Sequence, residues 1–467
     1  MLVVLSDLHF EEEATDHIPG RGSLPPVYYS RNLPGRAFTG FIIHLANEAR
    51  RNRAQQLDLV LAGDVFDIHR TSLWFIDNPG GLRPYVRLED VGPALEARTL
   101  DILEGIAAEE DVAVALAAFR LLCQGQYWDK ELRAFPVPVR LHFLPGNHDR
   151  LVNATPELRD WVRRTLGLAS AADPFPHALL FPQEQVLIRH GHEYDRANFL
   201  RDYSQEEVIP TSLPAQEYSA APFGDFATVD IASRIPFLFR LLHTDERVLG
   251  DHTLRATYLR LLEFDDLRPQ RAMLNFLLHM PEYSVEPAAV WAVLEPVVCR
   301  LLEEIYDDPF LETWLDRMDK KWRLDFIDVI QASLTLQSWR LAGLPLGLAQ
   351  FVSKAILSGG NLRRGEPVAF AAREEAIQKR QVRFVVAGHT HQPATELITA
   401  DTDAERYYVD TGTWRNQLPA NQAFKAFGRL RSLTYVIFYG PEEDQGQQPR
   451  PAKRVSFDYW SGFTQRW

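Results

Sequence analysis

Short, unbroken apolar runs recur along the chain, and most of them stop at a glycine followed by polar side chains. Leu2–Leu5 is the first, and its continuous apolarity predicts a strand covered on both faces. Leu57–Ala62 ends in Gly63-Asp64, Arg140–Leu144 in Pro145-Gly146, Val186–Arg189 in His190-Gly191, and Phe384–Ala387 in Gly388. Phe38–Glu48 instead repeats apolar residues at helical spacing. In open α/β sheets, ligands bind at the loops that leave the carboxyl ends of strands. The polar residues after these runs are therefore expected to converge on one edge of one sheet. Further β-rich segments at Glu396–Ile398, Arg406–Val409, Leu433–Phe438 and Lys453–Tyr459 extend or complete a sheet sandwich.

Two long gaps separate these runs. Residues 71–135 carry a helical pattern around Leu95–Leu122, and residues 198–380 carry others at Ile235–Leu242, Leu254–Leu262, Ala288–Ile305 and Phe326–Leu341. A connection between two core strands rarely needs so much chain. Both gaps read as helical insertions that cap a site on one core spanning 1–467. Gly440–Arg450 reads as a polar loop at a hairpin end.

Composition narrows the class. With 46% hydrophobic and 24% charged residues among 467, the chain can bury a large core. Its formal net charge of -13 offers no broad basic surface for duplex DNA or anionic lipid, so a nucleic-acid partner is less expected. Cys123 and Cys299 sit in apolar helical runs and read as core thiols rather than as a disulfide or thiolate metal site. The apolar start lacks a basic n-region and meets Asp7 at once, unlike a signal peptide. No stretch approaches the roughly 18 apolar residues of a transmembrane span. A cytoplasmic enzyme is the expectation.

The chemistry lies in the segments after the runs: Asp7-Leu8-His9, Gly63-Asp64-Val65-Phe66-Asp67, Gly146-Asn147-His148-Asp149, His190-Gly191-His192 and Gly388-His389-Thr390-His391. Each alone is a weak signal, since a Gly-Asp after a strand is often only a turn. Together they supply carboxylate, amide and imidazole ligands, the donors divalent transition metals take. Buried charges are costly unless paired or metal-bound, so many polar groups at strand ends call for one shared explanation.

These motifs resemble the signature of the calcineurin-like metallophosphoesterase superfamily, from residue 7 to residue 391, and Tyr408–Trp414 resembles the strand and turn that follow the last motif there. The resemblance implies an α/β fold, a four-layer αββα sandwich with the helical insertions as a cap. It implies two divalent metal ions, manganese first, with iron, zinc or magnesium as alternatives. Asp7, His9, Asp64 and His391 would hold one; Asp64, Asn147, His190 and His389 the other, with Asp64 bridging. The implied reaction is hydrolysis of a phosphate monoester, diester or pyrophosphate by a metal-activated hydroxide. His148 becomes the candidate proton donor to the leaving group, with Asp149 holding a nitrogen of His148 or of a ligand. Asp67 and His192 are candidates for supporting the ligands, and Arg150, Arg189, Arg196 and His192 for substrate contacts.

A phosphorylated small molecule or nucleotide is the expected substrate. The repair exonucleases of that superfamily carry their capping domain after the Gly-His-x-His element, whereas here the large insertion precedes it. The UDP-2,3-diacylglucosamine pyrophosphohydrolases do insert helices at this place, but they have Arg where this chain has His148, and their insertion is shorter. The apolar stripes of residues 235–350 read as plain core before they read as an acyl-chain tunnel. A binding scaffold that kept the fold and lost the chemistry is the non-enzymatic alternative, and such proteins typically lack one or more of the ligands.

Overall fold

The computed structural model describes residues 1–12, 18–268, 272–305, 308–317, 365–402, 404–443 and 455–464. It is a mixed α/β structure with several sheets and many helices. One sheet runs in the order β5 (Val139–Leu144), β2 (Leu57–Ala62), β1 (Leu2–Leu5), β13 (Leu430–Tyr439), β12 (Asn416–Pro419), β8 (Leu267–Arg268), with β14 (Ser456–Thr464) also on β13. Its β1, β2 and β5 are mutually parallel. A second sheet runs β10 (Ala394–Ala400), β11 (Glu405–Asp410), β9 (Phe384–Ala387), β7 (Val186–Arg189), β6 (Ala178–Phe181). There β7, β9 and β11 are parallel. The strands predicted to share one sheet edge therefore come from two sheets. Unbroken apolar runs mark strands covered on both faces but carry nothing about which strands pair.

Alternation along β1 explains how the sheets meet. Leu2 and Val4 join an apolar cluster with Val60, Leu144, Ile188, Val386 and Val409, drawn from both sheets. Val3 and Leu5 point the other way, as the two-residue period of a strand requires. They join the core of α1 (Gly35–Arg51), α2 (Pro93–Ala108), α3 (Glu110–Cys123) and α4 (Pro156–Leu166). On the far face of the second sheet, Leu187, Val385 and Tyr408 pack with Phe370, Ala371 and Ile377.

Local chemistry sets the helix limits. In α1, Phe38, Phe41, Ile42, Leu45 and Ala49 fall on one buried face, and Arg50 and Arg51 close the last turn, where cations suit the helix dipole. Thr155 caps α4 through Leu158 N–H, Pro156 opens it, and Gly167 ends it in the left-handed region with φ 77°.

The first insertion is not wholly helical. Its pattern breaks at Glu109, whose side chain caps α3 through Val112 N–H. The chain then forms a small hairpin of β3 (Gln126–Asp129) and β4 (Glu131–Ala134). In the second insertion, helices form at Arg234–Leu242, His252–Glu263 and Pro287–Ile305, close to the expected limits. Their apolar stripes, including Leu238, Leu261 and Leu294, belong to the same cluster as α1–α4. That is core packing, as the patterning suggested. The helix expected at Phe326–Leu341 and most of the loop at Gly440–Arg450 lie outside the described residues. Among the described residues, no helix is long and apolar enough to cross a membrane.

Candidate metal centre

Each motif leaves the carboxyl end of a strand: Asp7 and His9 follow β1, Asp64 follows β2, Asn147 follows β5, His190 follows β7, and His389 and His391 follow β9. Parallel pairing within each sheet brings these ends to one edge of the sandwich. Three groups of side chains converge closely enough to hold a cation: Asp7, His9 and His391; His9, Asp64 and His148; and Asp64, His190 and His389.

Asp64 lies at the middle of these contacts. Its Oδ2 is 3.1 Å from His190 Nε2 and 3.5 Å from His9 Nε2. Its Oδ1 accepts the backbone N–H of His148 at 2.8 Å. Asp7 Oδ1 lies 3.3 Å from His391 Nε2 and 3.8 Å from His9 Nε2. His9 Nε2 and His391 Nε2 are 2.9 Å apart. The donor atoms of Asp7, His9, Asp64, His190, His389 and His391 thus gather in overlapping groups. Asn147 Oδ1 is buried without a hydrogen-bond partner among the described residues. Buried polar atoms are rarely left so, and a cation would satisfy it. The residues present fit a pair of divalent ions.

The backbone is strained where the ligands stand. Asp7, His9, Asp64, His389 and His391 have φ of 55°, 44°, 52°, 68° and 57°. Non-glycine residues seldom occupy the left-handed region, and where they do, they cluster at functional sites. Close approach is also enforced by glycine. A β-carbon on Gly146 would lie 2.6 Å from Asp64 N, and one on Gly388 would collide with the Asp7 carboxylate.

Electrostatics follow the geometry. Burial opposes ionisation of Asp7, but His391, His9 and His190 outweigh it and hold the carboxyl below its usual range. Burial likewise opposes ionisation of Asp64, and His190 and His148 overcome it. Burial works against charging His190, yet Asp64 beside it pushes the imidazole up to about 10. Ionised carboxylates here are balanced by protonated imidazole, a balance that a divalent cation can take over by displacing the proton.

Asp67, only a supporting candidate in the sequence, links two key imidazoles. Its Oδ2 is 2.8 Å from His9 Nδ1 and its Oδ1 is 2.8 Å from His148 Nδ1. This fixes the orientation of both rings and leaves His148 Nε2 free of that contact. The expectation for Asp149 is corrected. Its carboxylate accepts N–H groups of Gly146 at 2.6 Å, Val65 at 2.8 Å and Phe66 at 3.3 Å, stapling two loops rather than holding an imidazole. Burial, with Asp64 nearby, pushes its carboxyl up to about 7.

The expectations for Arg150 and Arg189 are corrected too. Arg150 is buried and binds Asp225 at 2.6 Å and the carbonyls of Ser219, Pro84 and Val86, which occupies its guanidinium. Arg189 is bound to Glu374 and to the carbonyls of Pro210 and Thr211. Arg196 is exposed beside Asp195. His192 is buried, with ring centroids 5.3 Å from His190 and 5.9 Å from Tyr218.

Sequence reasoning missed Asp195, whose Oδ2 is 3.1 Å from His389 Nε2. It also missed Ser6, whose hydroxyl donates to Asp7. Both lie within a few residues of a motif, and proximity to a motif was the available signal. No family model matches the chain. No curated protein matches it either.

Proposed function

We propose that the chain is a metal-dependent phosphohydrolase, a divergent relative of the calcineurin-like metallophosphoesterases. The observation that carries this reading is the position of Asp64 Oδ2, between His190 of one expected ligand set and His9 of the other. A shared carboxylate is what a dinuclear site needs. The layering of helices, sheet, sheet and helices agrees with the αββα sandwich that the resemblance implies.

On this reading Asp7, His9, Asp64 and His391 would hold one ion, and Asp64, Asn147, His190 and His389 the other. When bound, such ions supply charge neutralisation at phosphorus and a water nucleophile of lowered pKa, with manganese the first choice. The chain's own contributions are positional. Asp67 holds His148 at Nδ1, so Nε2 can give a proton to the departing ester oxygen. Asp195 and Asp67 hold the rings of His389 and His9.

The test is hydrolysis of bis-(p-nitrophenyl) phosphate and p-nitrophenyl phosphate by manganese-loaded protein. Asp64→Ala lowers kcat/KM by at least about a hundredfold, since one substitution removes a ligand shared by both ions. A correctly folded wild type that stays inert with added manganese sinks the reading and favours the scaffold.

A further inference from the structure

We infer that β4 is the pairing edge for a second copy of this chain, joined antiparallel across a two-fold axis at Leu132. The inference is independent of the phosphohydrolase reading. β3 and β4 form a sheet of their own, so among the described residues β4 has a strand on one side only. All four of its residues are exposed. A two-stranded hairpin is marginally stable in water, and an open edge is a template for another strand.

Register fixes what that edge offers. Gln126 faces Ala134, Tyr127 faces Arg133, and Trp128 faces Leu132. One step further out, Phe135 N–H donates to the Gly125 carbonyl at 2.7 Å. Facing pairs in an antiparallel ladder are bonded alternately, so Tyr127 and Arg133 are a bonded pair. Leu132 and Ala134 therefore aim their N–H and C=O groups outward, away from β3. The side chains add apolar surface at the same edge. Trp128 and Leu132 are 56% and 49% exposed. Trp128 also borders an apolar cavity of about 290 Å³, lined with Ile42, Val114, Leu121 and Tyr127.

Charge selects the partner and the register. Outward groups meet only outward groups, so a two-fold axis between two copies of β4 falls at Glu131, Leu132 or Arg133. An axis at Glu131 sets two carboxylates opposite each other, and an axis at Arg133 sets two guanidinium groups so. Like charges directly opposite are destabilising. An axis at Leu132 instead sets Glu131 opposite the partner's Arg133, and Arg133 opposite the partner's Glu131. These are non-bonded pairs, in which side chains come closest. Leu132 exchanges both backbone bonds with its copy, and the two leucines join the two Trp128 rings in one apolar row. Edge charges usually keep strands apart, but here they complement this strand's own sequence. A self-complementary patch is what a two-fold dimer requires.

Sedimentation velocity of the full chain from about 1 to about 300 µM reads the association, which so small a contact makes weak and reversible. Wild type is expected to pass from monomer to dimer as concentration rises. Glu131→Arg and Arg133→Glu are each expected to weaken the dimer at least about tenfold, since each sets like charges across the axis. Both positions are exposed, so the fold is expected to tolerate either change. An equimolar mixture of the two variants is expected to recover association, because each chain then supplies the charge that the other lacks. The double variant, with the two charges exchanged, is expected to dimerise as wild type does. A wild type that stays monomeric throughout overturns the inference. So does a dimer that both single variants leave unchanged, or a mixture that associates no better than either variant alone.

Discussion

Asp67 and His148 carry the most testable chemistry at the scale of single residues. Asp67 places one carboxylate oxygen on each of two imidazoles, so His148 is oriented by the same group that orients His9. His148→Ala should therefore keep its metal and slow alkyl phosphates by roughly 10²–10⁴, the range of general acid catalysis, while slowing p-nitrophenyl esters far less. Equal loss across leaving groups would count against the proton-donor role. The Gly-Asn-His-Asp motif made His148 legible in the sequence. The role expected of Asp149 belongs to Asp67 instead, because adjacency along a turn does not reveal which way a carboxylate points. Asp149 turns toward three backbone N–H groups, and Arg150 toward Asp225. Arg268, whose NH2 lies 2.7 Å from His391 Nδ1, gave no signal, because nothing in its local sequence connects it with His391.

At the scale of elements, the strands that end at the site were legible and their neighbours were not. Leu57–Ala62 is buried almost throughout, so its apolar run marked it with the observed limits. The hairpin strand Glu131–Ala134 is exposed at every position, and Ala178–Phe181 is only partly covered, so neither has a run to read. Apolar runs also could not distribute the strands between two sheets, since pairing depends on contacts far apart in the chain. Close packing of the motif turns yields a further test. Gly146→Ala puts a β-carbon 2.6 Å from Asp64 N and should cost about 1–3 kcal/mol, as overpacking does, along with metal occupancy. Gly40→Ala, in the exposed middle of α1 with open space around it, should instead gain about 0.5–1 kcal/mol. Urea unfolding of both variants with metal analysis decides this, and equal behaviour of the two would contradict it.

For the whole molecule, the insertions share one apolar cluster with the helices of the first sheet, so stability is expected to respond as a unit. Buried His69 offers a probe of it. Burial pushes its imidazole down to about 4 from an ordinary 6.5, and neither ring nitrogen has a hydrogen-bond partner among the described residues. The unfolded chain binds that proton first as pH falls, so the stabilising term present above pH 6.5 is lost on acidification toward 4. Between those values the wild type should lose up to about 1.4 kcal/mol per pH unit relative to His69→Asn. Parallel pH dependences of the two urea midpoints would show that His69 is not neutral inside. The helix expected at Phe326–Leu341 belongs to no such test, as it falls outside the described residues.

The central claim is that one carboxylate joins two cation sites, and manganese binding tests it without any substrate. Metal-free protein titrated with Mn²⁺ at pH 8 and followed by electron paramagnetic resonance should take up two ions per chain whose spins couple. Uptake should release protons and weaken toward pH 5, because Asp64 keeps His190 protonated until the metal displaces its proton. Asp64→Ala should abolish the coupling and leave at most one ion bound. A single ion in the wild type, or two ions whose coupling survives Asp64→Ala, would contradict the account.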